Sequence, residues 1–133
     1  MPSSQALYSM QLSQVMEALE RGDIVEAAWI AAGYSHHPNL EKRQVFRAAE
    51  GGWGFIHGIL AREGLSHDDP EVAPLYAMAY TAHLGEATAL YTVYDRKGLK
   101  TALQLAKAIL DNRSAAFRYG LHAVSGPVGK GKT

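Results

Sequence analysis

Between residues 70 and 94, apolar and small side chains return every three or four positions along the chain. This spacing places them on one face of an α-helix, because a helix completes a turn in 3.6 residues. Similar spacing recurs before and after this stretch, whereas no segment shows the two-residue alternation of a half-buried strand. The 133 residues are enough to bury one hydrophobic core. We therefore predict a single all-α domain, a compact bundle of five to six helices.

Capping residues and helix breakers define the predicted boundaries. The clearest start signal is at residues 69–71, where Asp69 is a good N-cap and Pro70 suits the first helical turn. The predicted helices begin after Ser3 or Ser4, at Ile24, near Leu40, at Pro70, at Leu99 and at Ser114. We expect the last three to end near Tyr94, Leu110 and Ala123. Residues 1–123 then form the helical domain, and residues 124–133 form a flexible tail rich in glycine and lysine.

The composition narrows the classes of function. Thirteen basic residues balance thirteen acidic ones, so the chain lacks the overall positive charge typical of nucleic-acid binders. There is no cysteine, which excludes disulfides, thiolate zinc sites and cysteine nucleophiles. The N-terminus shows no signal-peptide pattern, and no apolar run is long enough to span a membrane. We expect a cytoplasmic protein that does not bind membranes.

The histidines and acidic residues do not form a complete catalytic or metal-binding set. His83 and Glu86 are three residues apart, so they share one helix face and are weak candidates for metal ligands. Further glutamates at matching positions are lacking, and the HExxH pattern is absent. We expect His83 to be a hydrogen-bonded core histidine. The sequence therefore favours a non-enzymatic protein with no catalytic residues, no metal and no cofactor.

The segment GGWGFIHGIL, residues 51–60, is unusually rich in glycine for a helix. On a helical projection, Gly51, Gly54, Gly58 and Ala61 fall in one sector, and Trp53, Ile56 and Leu60 fall in another. Each interior glycine costs ~1 kcal/mol of helix stability relative to alanine, and packing must offset this. We predict a central helix whose glycine face packs closely against another helix of the same chain.

Exposed aromatic residues are frequent anchors of protein interfaces. The candidates for such anchors are Trp53, Tyr76, Tyr80, Tyr91 and Tyr94. The alternative for each is packing in the core of the domain. We predict a protein–protein interaction module, acting as an adaptor, an inhibitor or an assembly factor, that binds a protein partner or associates with itself.

The segment EAAWIAAGYSHHPNLEKRQVFRAAE, residues 26–50, supports an alternative. It is similar to the helix-turn-helix of phage small terminase subunits, and Ala32, Gly33, Tyr34 and Ser35 match the turn. The resemblance implies an oligomeric DNA-binding protein. It places four residues against DNA: Lys42, Arg43, Gln44 and Arg47. Otherwise these four residues form the solvated face of an ordinary helix.

Overall fold

The computed structural model describes residues 4–34, 37 and 52–125, with side chains described from Met10 to Phe117 within those ranges. These residues form six α-helices and one 3₁₀ turn, and they contain no strand. The predicted all-α class is therefore confirmed. The helices are α1 (Ser4–Glu20), α2 (Ile24–Ala31), α3 (Trp53–Glu63), α4 (Ala73–Thr81), α5 (Leu84–Lys97) and α6 (Leu99–Ser125), and the 3₁₀ turn is Pro70–Val72.

One hydrophobic core joins the helices. The last helix, α6, packs against α2, α4 and α5, while α3 lies against α4 and α5, and α1 lies against α2 and α5. The largest side chains that are less than 2% exposed include Val15, Ile56, Leu75, Leu90 and Leu105, which come from five different helices. Burial of these apolar groups is the main stabilising contribution to such a bundle. None of the described helices has the length and apolar character needed to cross a membrane.

The first two helices match their predicted boundaries closely. Gly22 adopts a left-handed φ of 79°, which suits a residue without a side chain after a helix end. Asp23 then caps α2, because its Oδ1 accepts a hydrogen bond from the Glu26 backbone N–H at 3.1 Å. The predicted third helix begins near Leu40, but its residues up to position 51 lie outside the described part of the chain. The described part of this region begins at Gly52, and α3 starts at Trp53.

The predicted continuous helix from Pro70 to Tyr94 is wrong. The chain leaves the helical conformation at Ala82 (φ −69°, ψ 142°) and at His83 (φ −81°, ψ 162°), which separates α4 from α5. The Glu86 side chain restarts the helix, because its Oε1 accepts a hydrogen bond from the His83 backbone N–H at 2.9 Å. The apolar spacing continues across this break because α4 and α5 both face the same core.

The predicted helix end at residues 111–114 is also wrong, since α6 continues without interruption from Leu99 to Ser125. Asn112 and Arg113 belong to residue types that often end helices or form solvated faces, but here they make tertiary contacts. Asn112 is 8% exposed and donates a hydrogen bond to the Val25 carbonyl at 3.2 Å. The backbone of α6 extends two residues beyond the predicted end of the domain, and residues 126–133 lie outside the described part of the chain.

Candidate functional site

One stripe on the outer side of α3 carries no side chain larger than a methyl group. Ile56, Ile59 and Leu60 bury the inner face, with exposures of 0%, 0% and 6%. Gly54 lies on the opposite side, and a Cβ placed there would meet no atom of the described residues within 4 Å. A Cβ at Gly58 would come no closer than 3.9 Å, to Cε2 of Tyr91. Within the described residues, therefore, no helix packs on Gly54, and Gly58 comes within contact range of α5 only at Tyr91. That the whole glycine face packs against a helix of the same chain stays a prediction, because Gly51 and the residues before it are not described.

The two glycines just before α3, Gly51 and Gly52, do not extend this open stripe in the described structure. Gly52 precedes α3 with a left-handed φ of 77° and packs inward, since a Cβ there would lie 2.8 Å from the Cβ of Ala87. Gly51 lies outside the described residues. The open stripe therefore consists of Gly54, Gly58 and the exposed Ala61, which lie on one face of α3.

Aromatic rings line the α4 side of this stripe. The ring of His57 on α3 meets Tyr80 edge-on, with centroids 6.4 Å apart. Tyr80 is 63% exposed and lies 5.3 Å from Tyr76, ring to ring, while their hydroxyls are 3.2 Å apart. The His67 ring extends the series, 5.0 Å from Tyr76. We call His57, Tyr80 and Tyr76 the α4 wall.

Rings also line the α5 side of the stripe. Phe55, which is 41% exposed, lies 5.6 Å from Tyr91, and Tyr91 lies 6.1 Å from Tyr94. The Arg62 guanidinium lies 5.6 Å from the centre of the Tyr94 ring. We call Phe55, Tyr91 and Tyr94 the α5 wall. The two walls and the floor of Gly54, Gly58 and Ala61 form a shallow surface that we call the α3 groove.

The structure brings the five predicted interaction residues to this region, but with different exposures. Trp53 lies at the start of α3, is 45% exposed, and donates a hydrogen bond from Nε1 to the Ala82 carbonyl at 3.0 Å. Tyr80 is exposed, while Tyr76 and Tyr91 are partly buried in the walls. Tyr94 is only 8% exposed, so it supports the α5 wall from below. Phe55 and His57 complete the walls and were not among the predicted residues.

A hydrogen bond raises the pKa of one tyrosine in each wall. The bond with Tyr80, followed by burial, raises the pKa of Tyr76 above its ordinary value. The bond from the Tyr94 hydroxyl to Glu63 Oε2, 2.6 Å long, raises the pKa of Tyr94, and burial adds to this effect.

Charge is distributed unevenly along the α3 groove. The segments 52–58 and 73–81, which form its first part, contain no Asp, Glu, Lys or Arg. At the other end, residues 61–72 contain Arg62 and four acids, so their formal charge is +1 − 4 = −3. The four acids are Glu63, Asp68, Asp69 and Glu71. The end of α3 and the loop after it are therefore acidic, although Glu63, seven residues after the buried Ile56, lies on the inner side of α3 and not on the groove floor.

The pair His83 and Glu86 forms a structural junction. Glu86 is fully buried, and its Oε1 accepts hydrogen bonds from the His83 backbone N–H at 2.9 Å and from Arg113 Nη2 at 2.5 Å. Arg113 also donates to Thr81 Oγ1 at 2.7 Å and to the Thr81 carbonyl at 3.1 Å. His83 lies at the start of α5, and its side chain accepts a hydrogen bond in the capping box, as predicted for a hydrogen-bonded histidine. With 23% of the side chain exposed, it lies at the edge of the core and not inside it.

This junction fixes α6 against the break between α4 and α5. The ring nitrogen Nδ1 of His83 lies 4.0 Å from Glu86 Oε1. Within the described ranges, no three His, Cys, Asp or Glu side chains are close enough together to hold a metal ion. The role of Arg113 could not be predicted, because its partner Glu86 is 27 residues away in the sequence.

A second concave region lies on another face of the bundle, between α1, α2 and α6. It is an open cleft of about 610 Å³, and Lys97, Lys107 and Asp111 contribute its charged groups. Leu19, Ile24 and Val25 contribute its apolar side. Opposite charges thus lie together in this cleft, and it contains no aromatic side chain.

The residues predicted to contact DNA are outside the described part of the chain: Lys42, Arg43, Gln44 and Arg47. Of the turn that suggested this function, Gly33 and Tyr34 are described, with left-handed φ values of 65° and 58°, and Ser35 is not. No protein-family model, no curated protein and no solved structure matches this chain. The function is therefore argued from the geometry of the described residues.

Proposed function

We propose that this chain is a non-enzymatic protein-interaction module and that the α3 groove binds a helix of a partner protein. The observation that carries the proposal is the open floor of the groove. Among the described residues, a Cβ at Gly54 would meet no atom within 4 Å and a Cβ at Gly58 would come only within 3.9 Å of Tyr91, and exposed aromatic rings stand on both sides.

Within the part of the chain that the structure describes, no contact or backbone conformation requires glycine at these two floor positions. Neither has a positive φ, so the backbone does not need glycine there. Neither lets another described segment approach closely. Each costs ~1 kcal/mol of helix stability relative to alanine. A partner backbone that packs closely on the floor would explain why glycine is present despite this loss of helix stability, because glycine permits the closest approach of another backbone.

The dimensions of the groove suit a helix. The 11 residues of α3 span about 16 Å, which is about three helical turns. A partner helix with apolar residues at positions i, i+3, i+4 and i+7 would place its anchors along this length. Tyrosine and phenylalanine rings are effective anchors because they bury a large area while few torsions are fixed. The rings of Tyr80 and Phe55 are exposed in the free chain and available for such contacts.

Filling the floor tests the proposal. Gly54→Leu adds a side chain where no described atom lies within 4 Å, so we expect the helical circular dichroism and the melting temperature to be retained. The leucine would occupy the place of the partner helix and abolish binding. The matched control is Ser13→Leu, which adds an exposed leucine to α1, a helix that packs on α2 and α5.

The measurement compares wild type, Gly54→Leu and Ser13→Leu as baits in quantitative affinity purification. Light scattering on each purified protein gives its mass in solution. A protein bound by wild type and by the control, but not by Gly54→Leu, supports the proposal. Unfolding of Gly54→Leu would show that the chain itself fills the floor. Equal capture by all three baits would exclude the α3 groove as the binding surface.

A further inference from the structure

We infer, independently of the proposed function, that the break between α4 and α5 is a conformational switch. In the bent form seen here, α1 to α4 pack on α5 and α6 of the same chain. In the straight form, α4 and α5 join into one helix, and α1 to α4 pack on α5 and α6 of a second copy. The product is a domain-swapped dimer, in which only the break changes its conformation.

The backbone of the break needs only a small change to become helical. It consists of Ala82 and His83, whose φ values of −69° and −81° are close to those of an α-helix. Only their ψ values, 142° and 162°, differ clearly from helical values. Residues 80–84 contain no glycine and no proline, and the apolar spacing of α4 continues into α5. The local sequence therefore permits one continuous helix from Ala73 to Lys97.

Two side chains from other helices hold the carbonyl groups at the break. Trp53 Nε1, on α3, donates a hydrogen bond to the Ala82 carbonyl at 3.0 Å. Arg113 Nη2, on α6, donates one to the Thr81 carbonyl at 3.1 Å. In a continuous helix, each carbonyl would instead accept a bond from the N–H group four residues later. Both carbonyls therefore have a partner in the bent form and in the straight form.

The N–H group of His83 has two possible partners in the same way. In the bent form it donates to Glu86 Oε1 at 2.9 Å. In a continuous helix it would donate to the carbonyl of Ala79, four residues earlier. The two forms thus exchange side-chain hydrogen bonds for helical ones, and the side chains of Trp53, Arg113 and Glu86 decide which form is favoured.

The packing of the bundle makes a second copy the partner of the straight form. The main contacts of α4 are with α3 and α6, so straightening separates few direct contacts between α4 and α5. It does draw Ile56 and Leu75 away from Leu90 and Leu105, and these four side chains are less than 2% exposed. Separated halves would expose this core to water. A second copy with the same straight helix restores each of these contacts.

A proline at the start of α5 should lock the bent form. Leu84 is the first residue of α5, where proline is well tolerated, and His83 already has the extended backbone that a following proline requires. In a continuous helix, the proline ring would clash with the carbonyl four residues earlier. The matched control is Leu84→Ala, which removes the same leucine side chain but still permits the straight helix.

The measurement is the mass in solution after each protein is unfolded in urea and refolded at high concentration. We expect a dimer from wild type and from Leu84→Ala, and only monomer from Leu84→Pro, with helical circular dichroism retained in all three. Trp53→Phe keeps a ring but loses the bond to the Ala82 carbonyl. It should raise the dimer association constant at least about fivefold, since each dimer contains two straightened breaks. Gly54→Leu should leave the dimer unchanged.

Three results would overturn the inference. The first is a wild type and a Trp53→Phe variant that both remain monomeric. The second is a dimer that Leu84→Pro forms as readily as Leu84→Ala, because such a dimer does not need the straight helix. The third is a dimer that Gly54→Leu abolishes, which would assign it to the α3 groove and support the proposed function. If Leu84→Pro does not fold, an unchanged dimer fraction in Trp53→Phe contradicts the switch.

Discussion

Tyr34 follows the end of α2, and its hydroxyl donates a 2.5 Å hydrogen bond to Oε2 of Glu26 in the first turn of that helix. Burial, then this bond and the charge of Glu26, raise the pKa of Tyr34 from 10.0 to about 12. The folded protein thus favours the neutral phenol more strongly than the unfolded chain does. This contribution to stability is fully present below pH 10, and it is lost as the pH rises from 10 to about 12.

Ultraviolet absorbance of the phenolate checks this prediction. We expect one tyrosine of the folded protein to titrate near pH 12, and Tyr34→Phe should remove that step. Glu26→Gln should move the step to lower pH, because it removes the nearby negative charge, although burial still raises the pKa. A titration curve of Tyr34→Phe that is the same as wild type would contradict the assignment.

The bond between Arg113 and Glu86 gives a second prediction for a single residue. Arg113→Ala would leave the fully buried Glu86 carboxylate without its cation. We expect the free energy of unfolding to fall by about 3 kcal/mol, since removal of one member of a buried ion pair is strongly destabilising. Urea denaturation measures this change.

The control for Arg113 is Lys107→Ala, which removes an exposed cation from the same helix. It should change the free energy of unfolding by no more than about 0.5 kcal/mol. The double variant Arg113→Ala with Glu86→Gln should recover part of the loss, because the buried group is then uncharged. If Arg113→Ala were as mild as Lys107→Ala, the junction would not be a significant source of stability.

For the helix α3, two neighbouring glycines should respond in opposite directions. Gly54→Ala places a methyl group in open space and improves helix propensity, so it should stabilise the protein by about 0.5–1 kcal/mol. Gly52→Ala should destabilise it by more than that, because φ is 77° and the new Cβ would lie 2.8 Å from the Cβ of Ala87. Thermal and urea unfolding of both variants check these signs. A stabilising Gly52→Ala would contradict the packing of Gly52 on α5.

The sequence predicted the helices well where local signals and the tertiary structure agree. Helix α2 begins at Ile24 as predicted, where Gly22 and Asp23 provide a local stop and a local cap. The break before α5 could not be predicted, because the apolar spacing continues through Ala82 and His83. The interruption is stabilised by Arg113, whose bonds to Thr81 and Glu86 join segments about 30 residues apart.

The sequence predicted which glycines share one face of α3, but it did not predict that this face turns away from α4 and α5. The spacing of Gly54 and Gly58 correctly indicates a side-chain-free face, because both lie on one helix. A helical projection does not show which face turns inward when apolar and small residues fill most of the circumference. The neighbours α4 and α5 decide this, since they pack on Ile56, Ile59 and Leu60.

For the molecule as a whole, the two tryptophans report on different parts of the bundle. Trp29 is on α2, which packs with α1, α5 and α6, and Trp53 is on α3, which packs with α4 and α5. They are the only tryptophans in the chain. Because α5 belongs to both groups and one core cluster spans them, we expect the bundle to unfold as a single cooperative unit.

Two single-tryptophan variants check this cooperativity. Trp29→Phe leaves Trp53 as the reporter for α3, and Trp53→Phe leaves Trp29 as the reporter for α2. Within each variant, the urea midpoint from tryptophan fluorescence should coincide with the midpoint from far-ultraviolet circular dichroism, because both probes then follow one transition. A fluorescence midpoint of Trp53 at lower urea than the circular dichroism midpoint would show that α3 detaches before the rest of the bundle unfolds. The α3 groove would then not be a rigid surface, and the partner helix would bind together with the ordering of α3.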